Sequence, residues 1–342
     1  MLATGQKVLV ICPVHLSNSD HISYFERMLT SVERQSERPL CVIVDDGSKI
    51  DVGGILKRFD SAIFRYVRRE KSPKDLRTSS NAMNVGFDQL FEKKSMLTEK
   101  ERSEVCALAF VHSDDYLPEG SLDIRLKELD ESKGFVWGDR LYVNSRNEVV
   151  NFYKTGFYAS NPLDDMFGFP NHSIMWSRSF LEKLKTHRAE HHGAENIFDE
   201  NVTGFEDLDV TLASFQLARS MNLTPTYTGY VDYIYTNHED TISGTLSSKN
   251  QDKYRKVLMD RYSNAGTGFR YYWNQLTADL PWSLFHHLPE WFKKPFRKRV
   301  NEQKLKKTVS IEEKRKWIWK TIADEQRGKL RQEIDWFTNR IV

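Results

Sequence analysis

Cysteine is scarce in this chain of 342 residues: Cys12, Cys41 and Cys106 are the only three. Each lies inside an apolar, β-like run, and their odd count and wide spacing exclude a disulfide framework or a zinc cluster. Long hydrophobic runs are missing too. No segment approaches the ~18 to 20 apolar residues that cross a bilayer, and the polar start Met1–Lys7 with its short apolar sequel is no secretory signal. A reducing, cytoplasmic location is therefore expected. Charge of one sign is not in excess, since 50 Lys and Arg stand against 48 Asp and Glu for a net +2. Gly-x-Gly-x-x-Gly, Walker, Gly-x-Ser-x-Gly and His-Glu-x-x-His patterns are all absent, which removes dinucleotide, P-loop and the common hydrolase readings. A diphosphate bound without a glycine-rich loop would have to rely on a metal.

What is present is an α/β pattern. Lys7–Cys12, Leu40–Val44, Ala62–Val67 and Val105–Val111 read as buried strands, being short, β-branched runs closed by Pro or Asp. Between them, Ile22, Phe25, Leu29 and Val32 follow a helical spacing, and Met83, Val85, Phe87, Leu90 and Phe91 do the same behind the cap Ser79-Ser80-Asn81. Strands alternating with helices imply a mostly parallel sheet covered on both faces. In such sheets ligands lie beyond the carboxyl ends of the strands. Pro13, Asp45 and Asp114 all stand at such ends and should converge on one crevice. Further on, Gly134–Trp137, Asn147–Tyr158, His172–Trp176 and Val231–Tyr235 read as β-structure, and helices are expected from Ser177 and from Glu206 to about Ser220.

The most informative stretch is Val111-His112-Ser113-Asp114-Asp115-Tyr116-Leu117-Pro118. Adjacent carboxylates repel, so a pair at a strand end points to a cation. Mg²⁺ or Mn²⁺ held by one or two carboxylates, with other positions left to phosphate oxygens, is the usual way to handle a diphosphate. The plainer alternative is a solvated turn before a helix, because Asp and Pro favour turns.

Four pieces in order, Ile11-Cys12-Pro13-Val14, Val44-Asp45-Asp46-Gly47-Ser48, Ser113–Pro118 and Glu206-Asp207-Leu208-Asp209, resemble an inverting family 2 glycosyltransferase. A fifth, Tyr235-Thr236-Asn237-His238 through Ile242-Ser243, is similar to the family's closing His segment, so the resemblance covers about residues 6–250. It implies an α/β fold of the GT-A type, a Rossmann-like sandwich with a mostly parallel central sheet, and a C-terminal helical extension. The catalytic domain would span 1–250, its nucleotide-binding half about 1–118 and its acceptor half about 119–250, with 251–342 a helical, basic, Trp-rich region. On the same resemblance Pro13 and Val14 line the base pocket, Asp45 and Asp46 meet uracil or ribose, and Asn84 contacts base or ribose. Asp114 and Asp115 anchor Mn²⁺ or Mg²⁺, with His238 as a third ligand, and Asp207 is the general base, Glu206 and Asp209 being its competitors. Each has a plainer alternative: a turn for Asp45, a cap for Asn84, a structural role for His238, and complementarity to the helix dipole for the acidic residues at 206–209. Two positions depart from the family pattern. His112 stands where relatives carry a further Asp, and Met83 where they carry an Arg, a charge that Lys74 or Arg77 would have to supply.

The C-terminal quarter holds Trp273, Trp282, Trp291, Trp317, Trp319 and Trp336, six of the eight tryptophans, and between Lys293 and Lys320 twelve Lys or Arg face three Glu. That composition suits an anionic membrane surface or an anionic acceptor; the alternative is helices packing their tryptophans on the catalytic domain. Nucleic acid is disfavoured, as no binding motif accompanies the charge. The expectation is thus transfer of a hexosyl or N-acetylhexosaminyl group from a nucleotide-sugar donor, UDP-linked, to a glycan, polysaccharide or glycolipid hydroxyl, peripherally at the inner membrane face or free in the cytoplasm. The rivals are a catalytically silent nucleotide-sugar-binding or membrane-adaptor protein and, further off, a sugar nucleotidyltransferase.

Overall fold

The computed structural model describes residues 6–36, 39–70, 79–92, 94–155, 172–202, 205–238, 256–258, 260–262 and 310–341. Lys74, Arg77, Ile242, Ser243, Trp273, Trp282, Trp291 and the basic stretch 293–309 lie outside them. Within them, β1 (Lys7–Val14), β2 (Leu40–Asp46), β3 (Phe64–Arg69), β4 (Val105–Phe110), β5 (Phe135–Asn144), β6 (Val149–Tyr153), β7 (Met175–Ser177) and β8 (Thr226–Asn237) form one mixed sheet. The order is β3-β2-β1-β4-β7-β5-β6, with β8 beside β5. The first four strands and the β5–β8 pair are parallel; β7 runs antiparallel to β4 and β5, and β6 antiparallel to β5. The expected α/β sandwich is the observed one.

Alternation along β1 shows how it is covered. Leu9 and Ile11 join one apolar layer with α3 (Ser80–Phe91), α6 (Arg178–His192) and α7 (Glu206–Ser220), while Val8, Val10, Cys12 and Val14 join another with α1 (Asp20–Glu33), α2 (Val52–Leu56) and α5 (Ser121–Glu128); the short α4 (Glu99–Glu104) leads into β4. Successive side chains of a strand face opposite ways, so a strand buried on both faces must be apolar throughout. All three cysteines are free, Cys12 and Cys41 being fully buried in these layers. Helix α3 lies so close to β1 that a Cβ on Gly86 would come within 2.4 Å of Ile11 Cγ2.

Two strands are longer than their apolar runs suggest. β5 continues past Trp137 through Asp139 and Arg140, whose polarity masks a strand that is buried all the same; Asp139 accepts from the Thr155 N–H at 2.7 Å and the Tyr227 hydroxyl at 2.7 Å. β8 starts at Thr226 rather than Val231, with Gly229 at φ 79° near the irregular register.

At the sheet's far edge, α8 (Ile311–Thr321), α9 (Asp324–Ile341) and the link between them bury Ile318, Ile322, Leu330, Ile334 and Phe337 against Leu141, Val143, Val149, Val231 and Ile234. Gln326 bonds both backbone groups of Val231, at 2.8 and 2.7 Å, closing an open strand edge. Trp336 meets the guanidinium groups of Arg34 and Arg340, 4.4 and 4.5 Å from its ring centre, and Trp319 that of Arg331 at 4.8 Å. Trp317 is 61% exposed. Among the described residues no helix is long and apolar enough to cross a membrane.

Candidate active site

The parallel register puts Pro13 beside Val44 and Val14 beside Asp45, and the backbone N–H of Val111 bonds Ile11 just past the end of β4. The strand ends thus meet at one edge, as their order requires. Asp45 is fully buried there: Oδ1 accepts from the Ser48 N–H at 2.8 Å, and Oδ2 from the Tyr66 hydroxyl at 2.8 Å and Arg68 Nη1 at 3.2 Å. Asp46 pairs with Arg69 at 3.3 Å, and its carbonyl meets His15 Nδ1 at 2.9 Å. Val14 is packed in the core.

After β4 the chain turns so that Tyr116 pairs with Ile234 of β8 through two backbone hydrogen bonds. That bridge divides the acidic doublet. Asp115 is 1% exposed; its Oδ2 accepts from the Tyr233 hydroxyl at 2.7 Å and its Oδ1 from the Thr236 N–H at 2.8 Å. Burial, then the charge of Asp114, raises its pKa well above the ordinary range. Asp114 points the other way, toward the open edge, where its Oδ2 lies 2.9 Å from His238 Nε2 just past β8. Burial opposes the Asp114 charge, but the His238 hydrogen bond and the His112 and His238 charges outweigh it and hold the carboxyl below its ordinary value. Tyr24 stacks on His238 with ring centres 5.1 Å apart, fixing the imidazole.

Behind this corner sits Arg27 of α1, 4% exposed. It donates to the Asp114 carbonyl at 3.1 Å, to Thr236 Oγ1 at 2.6 Å and to Asn147 Oδ1 at 3.2 Å. Asn147, in the left-handed region at φ 59°, also accepts from the Tyr116 hydroxyl and donates to Ile334 O and Thr338 Oγ1 of α9. Neither residue carries a sequence signal beyond a polar side chain in a helix and a turn.

The acidic cluster opening α7 also separates by role. Asp209 is fully buried and taken by Arg188 at 2.6 Å, by Arg261 and by the Tyr262 hydroxyl. Glu206 binds Ser79 at the start of α3 through Oε1, leaving Oε2 buried without a partner among the described residues; burial and the adjacent Asp207 raise its pKa. Asp207 is the carboxylate at the crevice. Its Oδ1 accepts from the Leu208 N–H at 2.7 Å, and its Oδ2 lies 3.0 Å from His172 Nδ1. Burial raises its pKa, but His172, the Leu208 N–H and Arg140 together bring it below the ordinary value.

His172 is the residue that pattern reading passes over. β7 runs antiparallel to β4, pairing Ala107 with Ser177 and Ala109 with Met175. Continued, that register sets His172 opposite His112, and their rings are 5.0 Å apart. Burial, then the His172 charge, lowers the His112 pKa to about 4, so this imidazole is neutral at physiological pH. Asp207, His172, His112, Asp114 and His238 therefore line one edge.

Two other residues face elsewhere. Asn84 is spent on the Phe198 backbone, at 2.9 and 3.0 Å, and on Glu200 at 3.1 Å. Met83 is 1% exposed and packed within the core.

Asp114 and His238 are the residues that could hold a divalent cation at this corner. One carboxylate oxygen and one imidazole nitrogen converge from separate elements, and both suit Mn²⁺. Among the described residues no group of three or more His, Cys, Asp or Glu could hold an ion, which leaves the remaining positions to a ligand's oxygens.

The fold matches S. aureus TarS. The crystal structure of its residues 1–349 in complex with UDP-GlcNAc superposes with a TM-score of 0.52 at 17% identity, covering 97% of this chain and 90% of that one. The complex of the same TarS fragment with UDP gives 0.51 at 16%, covering 97% and 89%. No family model matches the chain, and no curated protein matches it in sequence. The likeness is one of fold.

Proposed function

We propose that the protein is an inverting glycosyltransferase moving a sugar from a UDP-linked donor to a hydroxyl of a glycan, polysaccharide or glycolipid. One observation carries this reading: the Asp114–His238 pair and the Asp207 carboxylate stand on the same sheet edge of a fold shared with a protein crystallised with UDP and with UDP-GlcNAc. On this reading the leaving diphosphate and the acceptor's proton are handled side by side.

In this reading Asp45 accepts a hydrogen bond from the uracil N–H or ribose in place of the one from Arg68, whose side chain is 46% exposed. Asp114 and His238 hold Mn²⁺ or Mg²⁺, which when bound offsets the charge on the departing nucleoside diphosphate. Asp115 and Arg27 hold the Asp114 backbone in place from behind. Asp207 drives removal of the proton from the acceptor hydroxyl as its oxygen attacks the anomeric carbon. A single displacement of this kind inverts that carbon. The described Trp319 and Trp336 pack on the catalytic domain, leaving exposed Trp317 as the described contribution of this region to a membrane or acceptor contact.

The test is UDP release from a panel of UDP-sugars, with Mn²⁺, with Mg²⁺ and with chelator. Metal-dependent release from one donor is expected. Donor binding with no release from any donor would instead mark a binding protein, and no binding of any nucleotide sugar would remove the reading.

A further inference from the structure

The described residues leave open which atom receives the acceptor's proton. Asp207 Oδ1 accepts from its own helix's Leu208 N–H at 2.7 Å, and Oδ2 lies 3.0 Å from His172 Nδ1. His172 Nδ1 is buried and has no partner besides that carboxylate, which lies off the ring's N–H direction. Its Nε2, by contrast, is not a buried atom and no described residue bonds it. The ring is 14% exposed at the same edge as Asp114 and His238.

These facts set the tautomer. A deprotonated Nδ1 would put a lone pair against a carboxylate, whereas a protonated one is attracted to it, so the proton resides on Nδ1 and the lone pair on Nε2. The other groups facing the ring are His112, with centres 5.0 Å apart, Tyr233 at 5.5 Å and Tyr235 at 5.6 Å. Tyr233 gives its hydroxyl to Asp115, and the His112 imidazole carries no negative charge in either of its ordinary protonation states. Asp207 is therefore the only anion in contact with the His172 imidazole among the described residues.

We propose that Asp207 and His172 work as a dyad in which His172 Nε2 takes the proton and Asp207 positions and stabilises the imidazole. The proposal rests on the glycosyltransferase reading and refines it. The acceptor O–H proton passes to Nε2, and the freed electron pair on oxygen forms the bond to the anomeric carbon. The bond from that carbon to the diphosphate oxygen breaks, its pair leaving with the phosphate. The resulting imidazolium faces Asp207 until it returns the proton to water. His172 is the catalytic residue and Asp207 a positioning residue.

Two measurements decide it. Long-range ¹H–¹⁵N spectra of the histidine-labelled protein, with His172 assigned by its loss in His172→Gln, are expected to show the Nδ1–H tautomer and its conversion or mixing in Asp207→Asn. An Nε2–H tautomer in the unsubstituted protein overturns the proposal. For kinetics, His172→Asn keeps a donor where Nδ1 was but has no base at Nε2. UDP release should fall ~100-fold or more in kcat, donor KM should stay within ~3-fold, and adding Asp207→Asn should cost little more, because groups acting as a unit are not additive. A His172→Asn protein within ~10-fold of full rate, beside an inactive Asp207→Asn, returns the proton to Asp207 and overturns the dyad alone. An unsubstituted protein that turns over no donor strikes the transfer reading first, and the dyad's catalytic role with it.

Discussion

Tyr233 gives its hydroxyl to Asp115 at 2.7 Å, and so separates two carboxylates that are neighbours in sequence. Asp115 is committed to the fold, holding Tyr233 and the Thr236 N–H, while the Asp114 side chain is partly exposed beside His238. Asp115→Ala strips partners from two buried donors, an effect of about 2–4 kcal/mol. Asp114→Ala removes only the His238 contact at a partly exposed side chain. Thermal unfolding should therefore register Asp115→Ala strongly and Asp114→Ala weakly, whereas the Mn²⁺ dependence of UDP binding should vanish in Asp114→Ala. The reverse pattern would mean that the doublet is divided the other way.

Asn147 ties the far helices to the same corner. All four hydrogen-bonding positions of its amide are used, toward Arg27, Tyr116, Ile334 and Thr338. Asn147→Leu leaves the buried Arg27 and Tyr116 short of an acceptor and places a γ-branched residue in a left-handed turn, so a loss of about 3 kcal/mol is expected. Asn147→Gly keeps the turn and loses only the bonds, and should fall between the two. Denaturant midpoints order the three proteins; equal midpoints for Leu and Gly would deny the backbone any share.

The convergence of Pro13, Asp45 and Asp114 was legible in sequence because parallel strands in a βαβ series end at one edge. The division of Asp114 from Asp115 was not. It depends on Tyr116 bridging to Ile234, more than a hundred residues away, which no local period encodes. Asn84 read as a ligand contact or cap and proves to be a clamp on Phe198, since an Asn on a helix has the same appearance whichever way it faces. His172 was hidden by topology: only an antiparallel β7 carries the start of that strand to the edge where β1 and β4 finish. Arg27 was hidden by its helix, where a buried guanidinium with carbonyl and amide partners looks like any surface arginine.

Glu333 offers a pH test of how α9 is attached. Both its oxygens receive the Glu119 N–H in the loop after the acidic doublet, at 3.0 and 3.1 Å. Burial raises its pKa to about 7, the Glu119 N–H and Arg34 opposing only in part. A carboxyl with a raised folded-state pKa keeps its proton longer in the native form. Its contribution is therefore complete below the unfolded value and is lost as pH rises toward about 7. Glu333→Gln, always neutral, should lie close to the parent protein at pH 4–5 and exceed it in Tm at pH 8. A parent protein whose advantage over the variant grows with pH would show instead that the ionised carboxylate is the stabilising form.

Gly86 tests whether helix α3 has any slack against β1. A methyl there would meet Ile11 Cγ2 at 2.4 Å and Cγ1 and Cδ1 at 3.2 Å, all in a core with no exposure at Ile11. A contact of that length forces a shift of helix or strand, with an expected loss of about 1–3 kcal/mol for Gly86→Ala. The strand residue that would move lies two positions before Pro13, and the helix holds Phe198 through Asn84, so the same substitution should weaken nucleotide binding. Truncating the obstacle distinguishes collision from backbone effects. Gly86→Ala combined with Ile11→Ala should lose less than the two single losses added, because the new methyl occupies space that the isoleucine vacates. Strict additivity in urea midpoints would place the cost of Gly86→Ala in α3 itself and leave the helix–strand contact with none of it.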